Sequence, residues 1–184
     1  KKQLKYLLNN LIKQKQFIEE IIVVDDGSTD GTFDEIKSLF NPLIRIYRIK
    51  NSERGYARNY GATKAKGYYI NFFDSDDYAH PNHCEIALNL AIKKEYPPWI
   101  ITNYEIKDLK SKKFNKCIGP KKTKPIIKYI ENGNLISINS VFIRKDIASK
   151  FKFNESRDLS GSEDFELWIR PVSYTHLTLP TNKA

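Results

Sequence analysis

The chain has 184 residues, of which 40% are hydrophobic and 29% are charged, a composition typical of one globular domain with a buried core. It contains no apolar run close to the roughly 18 residues that a membrane-spanning helix needs. The two cysteines, Cys84 and Cys117, lack metal-type spacing, which favours free thiols in a reducing cytosol. The net charge of +9 permits nucleic acid, anionic lipid or a phosphorylated substrate as the partner.

Predicted helices and strands alternate along most of the chain. Leucines recur at helical spacing over Leu4–Ile12, and Glu20–Val24 is apolar on both faces, as in a covered parallel strand. Thr32 and Glu35 have the spacing of a capping box, which predicts a helix that also buries Phe40. Next come a strand at 43–49, a helix at 55–66 and a strand at 68–73. A helix at 81–94, a strand at 99–104 and a strand at 137–144 follow. A helical turn at 145–150 and a helix opening at 161 complete a pattern that predicts a doubly wound, mostly parallel α/β sheet.

Acidic residues cluster at three places where a strand or loop meets a helix: Asp25–Asp26, Asp74–Asp77 and Glu163–Asp164. Because successive parallel strands end at the same edge of a sheet, the first two clusters can line one crevice. The close carboxylates of Asp74–Asp77 repel one another, and Mg²⁺ or Mn²⁺ shared with substrate phosphates would remove that repulsion. Taken singly, Asp25–Asp26 favours a turn and Glu163–Asp164 favours helix-dipole complementation, whereas Asp74–Asp77 fits a polar turn as well as it fits a metal site. Together they favour a metal and diphosphate site.

A lysine-rich segment spans residues 107–128, where nine lysines accompany a single acidic residue, Asp108. Such a segment is either a solvated excursion from the domain or a basic surface that faces an anionic partner.

Both ends of the sequence have unusual features. The first residues already lie within a helical pattern, without an initiator methionine, and residues 171–181 back-translate into an adapter used in transposon-based sequencing libraries. We therefore expect residues 1–170 to represent the native domain and residues 171–184 to be a non-native tail.

Four blocks of the sequence resemble family 2 glycosyltransferases of the GT-A fold. Ile21–Thr32 resembles the nucleotide-binding segment of that family, and residues 57–70 resemble its next block. Phe73–Asp77 resembles the DxD motif, and Gly161–Arg170 resembles the late Glu-Asp motif. The blocks occur in family order. The resemblance implies a GT-A, Rossmann-like sheet with flanking helices, whose first strand should precede Lys1.

The resemblance also implies a nucleotide site. Asp25 would accept the imide hydrogen of a uracil ring, and Asp26 and Ser28 would shape the pocket around that ring. Arg58 would lie near the diphosphate. Asp74 would reach the ribose or a metal ion.

The chemical step would depend on two further carboxylates. Asp76, together with Asp74, would ligate Mg²⁺ or Mn²⁺, which stabilises the departing nucleoside diphosphate. Asp164 would be the general base that deprotonates the acceptor hydroxyl in an inverting displacement. The resemblance assigns no role to Asp77.

The expected function is transfer of a sugar from a nucleotide donor, UDP-hexose or UDP-N-acetylhexosamine, to a glycan or lipid-linked acceptor of the cell surface. The expected location is the cytoplasm, with the lysine-rich segment contacting the anionic inner face of the cell membrane. A nucleotidyltransferase that makes the sugar nucleotide is an alternative, although Asp164 in a late Glu-Asp block argues against it. A nucleic-acid-binding domain is a weaker alternative, because acids rather than interleaved basic and aromatic residues mark the strand ends.

Overall fold

The structure is a computed structural model that describes residues 1–107, 114–116 and 136–175. Its helices are α1 (Lys2–Ile12), α2 (Thr32–Lys37), α3 (Glu53–Lys64), α4 (His83–Lys93), α5 (Lys145–Lys150) and α6 (Glu163–Thr175). Its strands are β1 (Ile21–Asp25), β2 (Ile44–Arg48), β3 (Tyr69–Asn71), β4 (Trp99–Ile101), β5 (Glu105–Lys107), β6 (Phe114–Lys116) and β7 (Val141–Arg144). Helix α6 continues five residues into the segment predicted to be non-native.

The strands form three separate sheets, and with the flanking helices they confirm the predicted α/β architecture. Strands β1 and β2 are parallel, with Ile21 opposite Ile44 and Asp25 opposite Arg48. Strand β7 lies between β3 and β4 and is antiparallel to both, so these three strands form a second, antiparallel sheet. Strands β5 and β6 form a separate antiparallel pair.

Two apolar clusters hold these elements together. Leu7, Leu8 and Leu11 of α1 are buried against β1 and α2, which confirms the amphipathic helix predicted from their spacing. The second cluster packs the β7 residue Val141 against the α6 residue Leu167 and its neighbours. Among the described residues, no helix is both long and apolar enough to cross a membrane.

An apolar cavity of about 620 Å³ separates the two sheets. Ile22 of β1 and Ile70 of β3 line it, and Leu8 of α1 and Ala91 of α4 contribute to its walls. Among the described residues, no backbone hydrogen bond joins β1 to β3 across this cavity. One edge of each strand is therefore unpaired.

The start of α2 differs from the predicted capping box. The amide and hydroxyl of Thr32 donate to Asp30 Oδ1 at 3.1 and 2.6 Å, so Asp30 rather than Thr32 satisfies this helix end. The helix ends at Lys37, and Phe40 lies beyond it with 91% of its surface exposed. The prediction that Phe40 packs inward was wrong because the helix is shorter than its apolar pattern.

A histidine buried at the start of α4 supports the layer between α4 and β7. Its ring lies between Phe73 and Phe142, and His83 Nε2 is 2.8 Å from Asn71 Oδ1. The Asn71 side-chain nitrogen donates to two main-chain carbonyls, so its oxygen accepts a hydrogen bond from His83. Burial, with a smaller contribution from His80, lowers the pKa of His83 from 6.5 to about 4.

This histidine should make stability depend on pH. The unfolded chain protonates His83 below pH 6.5, whereas the folded chain keeps it neutral down to about pH 4, so acid favours unfolding. We expect His83 to account for a loss of up to about 3 kcal/mol of unfolding free energy over this interval. Denaturant titrations across the interval should show a smaller loss for His83→Gln than for the wild type. The exposed His80→Gln variant should retain most of the wild-type dependence, and identical curves for wild type and His83→Gln would contradict the assignment.

Candidate functional site

The first acidic loop follows β1 and contains a buried carboxylate with one unsatisfied oxygen. Asp25 is 5% exposed, and its Oδ1 accepts a hydrogen bond from the Ser28 amide at 3.2 Å. Arg48 Nε lies 3.3 Å from Asp25 Oδ2, but no described atom donates a hydrogen bond to this oxygen. A buried acceptor without a donor is costly, which marks Asp25 Oδ2 as a position for an external N–H or O–H group.

The neighbouring carboxylate holds the loop in place. Asp26 Oδ1 accepts a hydrogen bond from the Ser52 amide at 2.8 Å, which ties the end of β1 to the start of α3. Gly27 has a φ of +78°, and a Cβ there would lie 3.1 Å from the Asn51 nitrogen. Only glycine combines this positive φ with so close an approach to Asn51 without strain, so the turn requires glycine at position 27.

The second acidic loop closes on itself through Asp77. The Asp74 amide donates to Asp77 Oδ2 at 2.8 Å, and the Asp77 amide donates to the Asp74 carbonyl at 3.0 Å. Burial raises the pKa of Asp77 above its ordinary value. The resemblance assigned no role to this residue, although an acidic side chain can reach back to the amide three residues earlier, as it does in a capping box. The closure leaves the Asp76 side chain exposed at the loop.

The third acidic cluster joins the second through a buried arginine. Arg58 Nη1 donates to Glu163 Oε1 at 2.6 Å, and its Nη2 donates to Asp74 Oδ1 at 2.8 Å. Glu163 is 4% exposed, and its other oxygen accepts the Gly161 amide at 2.7 Å. One cation on α3 thus links loops that lie about 90 positions apart in the sequence.

Asp164 lies next to this network, at the N-terminus of α6. Its side chain is half-buried, and its Oδ1 accepts a hydrogen bond from the Phe165 amide at 2.7 Å. The helix dipole stabilises negative charge at this position. Asp164 lines neither the 620 Å³ cavity nor a second cavity of about 360 Å³, and its neighbour in sequence, Glu163, is bonded to Arg58.

Two cavities collect the remaining predicted site residues. A cavity of about 360 Å³ has Asp25, Asp26, Ser28 and Ser75 in its wall, so residues of the first and second acidic loops face the same space. The larger cavity between the sheets is also lined by Asp26, Arg58, Asp74 and Asp76. The convergence of the first two clusters on one crevice was predicted from strand order.

These residues fit a metal site only if substrate phosphate oxygens provide some of the metal ligands. Among the described residues, no group of three histidine, cysteine, aspartate or glutamate side chains could hold a metal ion. Asp76 is exposed at the crevice, whereas Asp74 is engaged by Arg58. Mg²⁺ and similar ions commonly take one or two protein carboxylates together with phosphate oxygens and water, and the exposed Asp76 suits that pattern.

The chain is similar to several bacterial glycosyltransferases. It is 30% identical to an uncharacterized glycosyltransferase of Haemophilus influenzae, over 73% of this chain and 54% of that protein. It is 41% identical to the chondroitin synthase of Pasteurella multocida, over 40% of this chain and 8% of that protein. The chain therefore spans about half the length of these relatives or less.

Solved structures show the same fold. The crystal structure of S. aureus TarS 1–349 in complex with UDP matches with a TM-score of 0.67 and 21% identity, over 89% of this chain and 49% of that chain. The corresponding complex with UDP-GlcNAc matches with a TM-score of 0.61 and 20% identity, over 82% and 44%. The family model described as Glycosyl transferase family 2 matches residues 1–150, which is most of the chain. The chain therefore belongs to glycosyl transferase family 2.

Proposed function

We propose that the chain binds a UDP-sugar, a hexose or N-acetylhexosamine donor, and transfers the sugar to a hydroxyl of a glycan or lipid-linked acceptor. The observation that carries the proposal is the buried Asp25 Oδ2, which has no hydrogen-bond donor and belongs to a residue lining the 360 Å³ cavity. The structural neighbour TarS has been solved with UDP and with UDP-GlcNAc, which supports this donor class.

The uracil ring would occupy the smaller cavity. Its imide N–H would donate to Asp25 Oδ2, which removes the cost of the unpaired buried oxygen. Asp26 and Ser28 would form the adjoining wall, in positions fixed by the bonds to Ser52 and Asp25. A volume of about 360 Å³ lies within the usual range of small-ligand sites.

The diphosphate would lie in the larger cavity beside Arg58, Asp74 and Asp76. Arg58 supplies a cation there. If Arg58 bound a phosphate oxygen in place of Asp74, the Asp74 carboxylate would be released to bind the ribose or the metal. Mg²⁺ or Mn²⁺, held by Asp76 and Asp74, would stabilise the charge that develops on the leaving nucleoside diphosphate.

Asp164 would act as the general base. A carboxylate near the crevice can accept the proton of the attacking hydroxyl, and attack from the face opposite the diphosphate inverts the sugar. The similarity to the chondroitin synthase of Pasteurella multocida supports a glycan acceptor.

The proposal extends to the location of the protein. We place it in the cytoplasm, with the basic segment 107–128 in peripheral contact with the anionic inner leaflet and with no nucleic-acid partner. Most of this segment lies outside the described residues, so its nine lysines support the contact by charge alone.

We also propose that residues 1–170 form the catalytic domain together with one more strand, inserted between β1 and β3. The unpaired edges of both strands face the apolar 620 Å³ cavity, which suits a strand buried on both faces. Lys1 lines the smaller cavity beside Asp25, so a strand leading into α1 would end at the same sheet edge as β1. That strand would be parallel to β1, with α1 as the crossover helix. On this proposal residues 171–184 remain a non-native tail.

The Asp25 contact can be tested by calorimetric titration with UDP. Loss of a charged acceptor typically costs about 1.5–3 kcal/mol, so Asp25→Asn should bind UDP about 10-fold to 100-fold more weakly than the wild type. The control is Asp34→Asn, because Asp34 is exposed on α2 and lines neither cavity. Equal UDP affinities for the wild type and a folded Asp25→Asn variant would contradict the proposed uracil site.

The metal contribution can be tested in the same titration with and without Mn²⁺. Wild-type affinity for UDP should rise about tenfold or more with the ion, because it neutralises charge between the carboxylates and the diphosphate. Asp76→Asn should lose most of this increase. Asp146→Asn, a carboxylate paired with Arg144 outside both cavities, should retain it. A UDP affinity that changes neither with Mn²⁺ nor with the Asp76 substitution would exclude a metal ion held by Asp76.

The inserted strand can be tested by adding six alternating valine, isoleucine and threonine residues before Lys1, through a short Gly-Ser linker. Pairing with β1 and β3 should raise the melting temperature by about 4 °C or more and slow amide exchange in both strands. A version that carries Gly and Ser throughout is the matched control. Equal melting temperatures and exchange rates for the two versions would contradict the strand proposal.

A further inference from the structure

One face of α3 is built to hold the segment that leads into α6. Arg157 Nε lies 3.1 Å from a carboxylate oxygen of Glu53 at the start of the helix. Two residues further along α3, Gly55 lets the main chain at Asn154 approach so closely that a Cβ would lie 2.1 Å from the Asn154 oxygen. Any larger side chain there would displace this segment from α3.

Asn59 makes the most specific of these contacts. It is 8% exposed, and its side chain bonds the Phe153 main chain in both directions, each at 2.9 Å. The same side-chain nitrogen also donates to Glu155 Oε1 at 2.7 Å. An amide side chain that pairs with both the N–H and the C=O of one residue fixes the position and the orientation of that residue.

The two ends of the segment are held by consecutive residues of α3. Asn59 holds Phe153 at one end, and Arg58 holds Glu163 at the other. The Arg58 guanidinium also lies 5.4 Å from the centre of the Phe153 ring, which joins the two anchors. Asp164 is the next residue after the second anchor.

We propose that Asn59 is a positioning residue that sets where Asp164 stands relative to the donor site, an inference that rests on the proposed function. Asn59 touches the loop main chain and lines neither cavity, so it acts through the segment and not on the donor. Loss of its bonds frees one end of the segment and lets the N-terminus of α6 move. Displacement of a catalytic group by about 1 Å can reduce the rate about 100-fold.

The test compares Asn59→Ala with Asn10→Ala. Asn10 is a suitable control because it is also a helical asparagine, 9% exposed, that donates to a main-chain carbonyl, Tyr6 O at 2.8 Å. Amide hydrogen exchange is measured over residues 153–166. UDP release from UDP-N-acetylglucosamine, with water as the acceptor, is measured with Mn²⁺ to give kcat and KM. If the alanine variant does not fold, Asn59→Asp, which keeps only the acceptor, takes its place.

We expect the Asn59 variant to exchange about tenfold faster over 153–166 than the wild type, with kcat about tenfold lower and KM within about twofold. Asn10→Ala should leave both exchange in this segment and kcat unchanged, even if it lowers the melting temperature. Unchanged exchange in the Asn59 variant overturns the proposal, and so does faster exchange with an unchanged kcat. A wild type that neither binds UDP nor releases UDP from UDP-N-acetylglucosamine contradicts the proposed function instead. Amide exchange over 153–166 then decides by itself whether Asn59 anchors the segment.

Discussion

The buried cation of Arg58 is the interaction on which the site depends. A charged group away from water is tolerated only when it is paired, and Arg58 meets this condition with Asp74 on one side and Glu163 on the other. The two carboxylates belong to loops that are remote in sequence, so their approach is set by the requirement to neutralise one guanidinium. The same pairing holds the guanidinium among the residues that line the larger cavity, where the proposed diphosphate would compete with Asp74 for it.

Each acidic loop divides its carboxylate oxygens between holding the main chain and facing outward. In the first loop, Asp25 uses one oxygen for the Ser28 amide, and the other has an ion-pair contact with Arg48 but no hydrogen-bond donor. In the second, Asp77 closes the turn and leaves Asp76 exposed. In the third, Glu163 holds Gly161 and Arg58 beside Asp164. Each cluster therefore contains carboxylate oxygens that hold the main chain, as a turn or helix-end interpretation predicts, beside others that suit the proposed ligand contacts.

Local patterns predicted most elements, and they failed where a distant partner or a competing local bond decides the outcome. The spacing of leucines was enough to predict α1, and the run Glu20–Val24, apolar on both faces, was enough to predict β1, which spans Ile21–Asp25. The capping box at Thr32 failed because Asp30 supplies the oxygen from two residues earlier. The place of β7 between β3 and β4 was not predictable, since antiparallel pairing there joins segments about 40 to 70 residues apart. The arginine was identified from a motif, but its partners depend on tertiary packing.

Helix α3 connects the two halves of the proposed donor site. Towards β1 it packs through Gly61, where a Cβ would lie 3.3 Å from Val24 Cγ2. Towards the other sheet it carries Arg58 and Asn59, which hold the second acidic loop and the segment before α6. Because no described backbone bond joins β1 to β3, the separation of Asp25 from the other acidic loops depends on this helix and on whatever fills the cavity between the strands. Binding of a nucleotide across both loops, as proposed, would therefore depend on the position of α3.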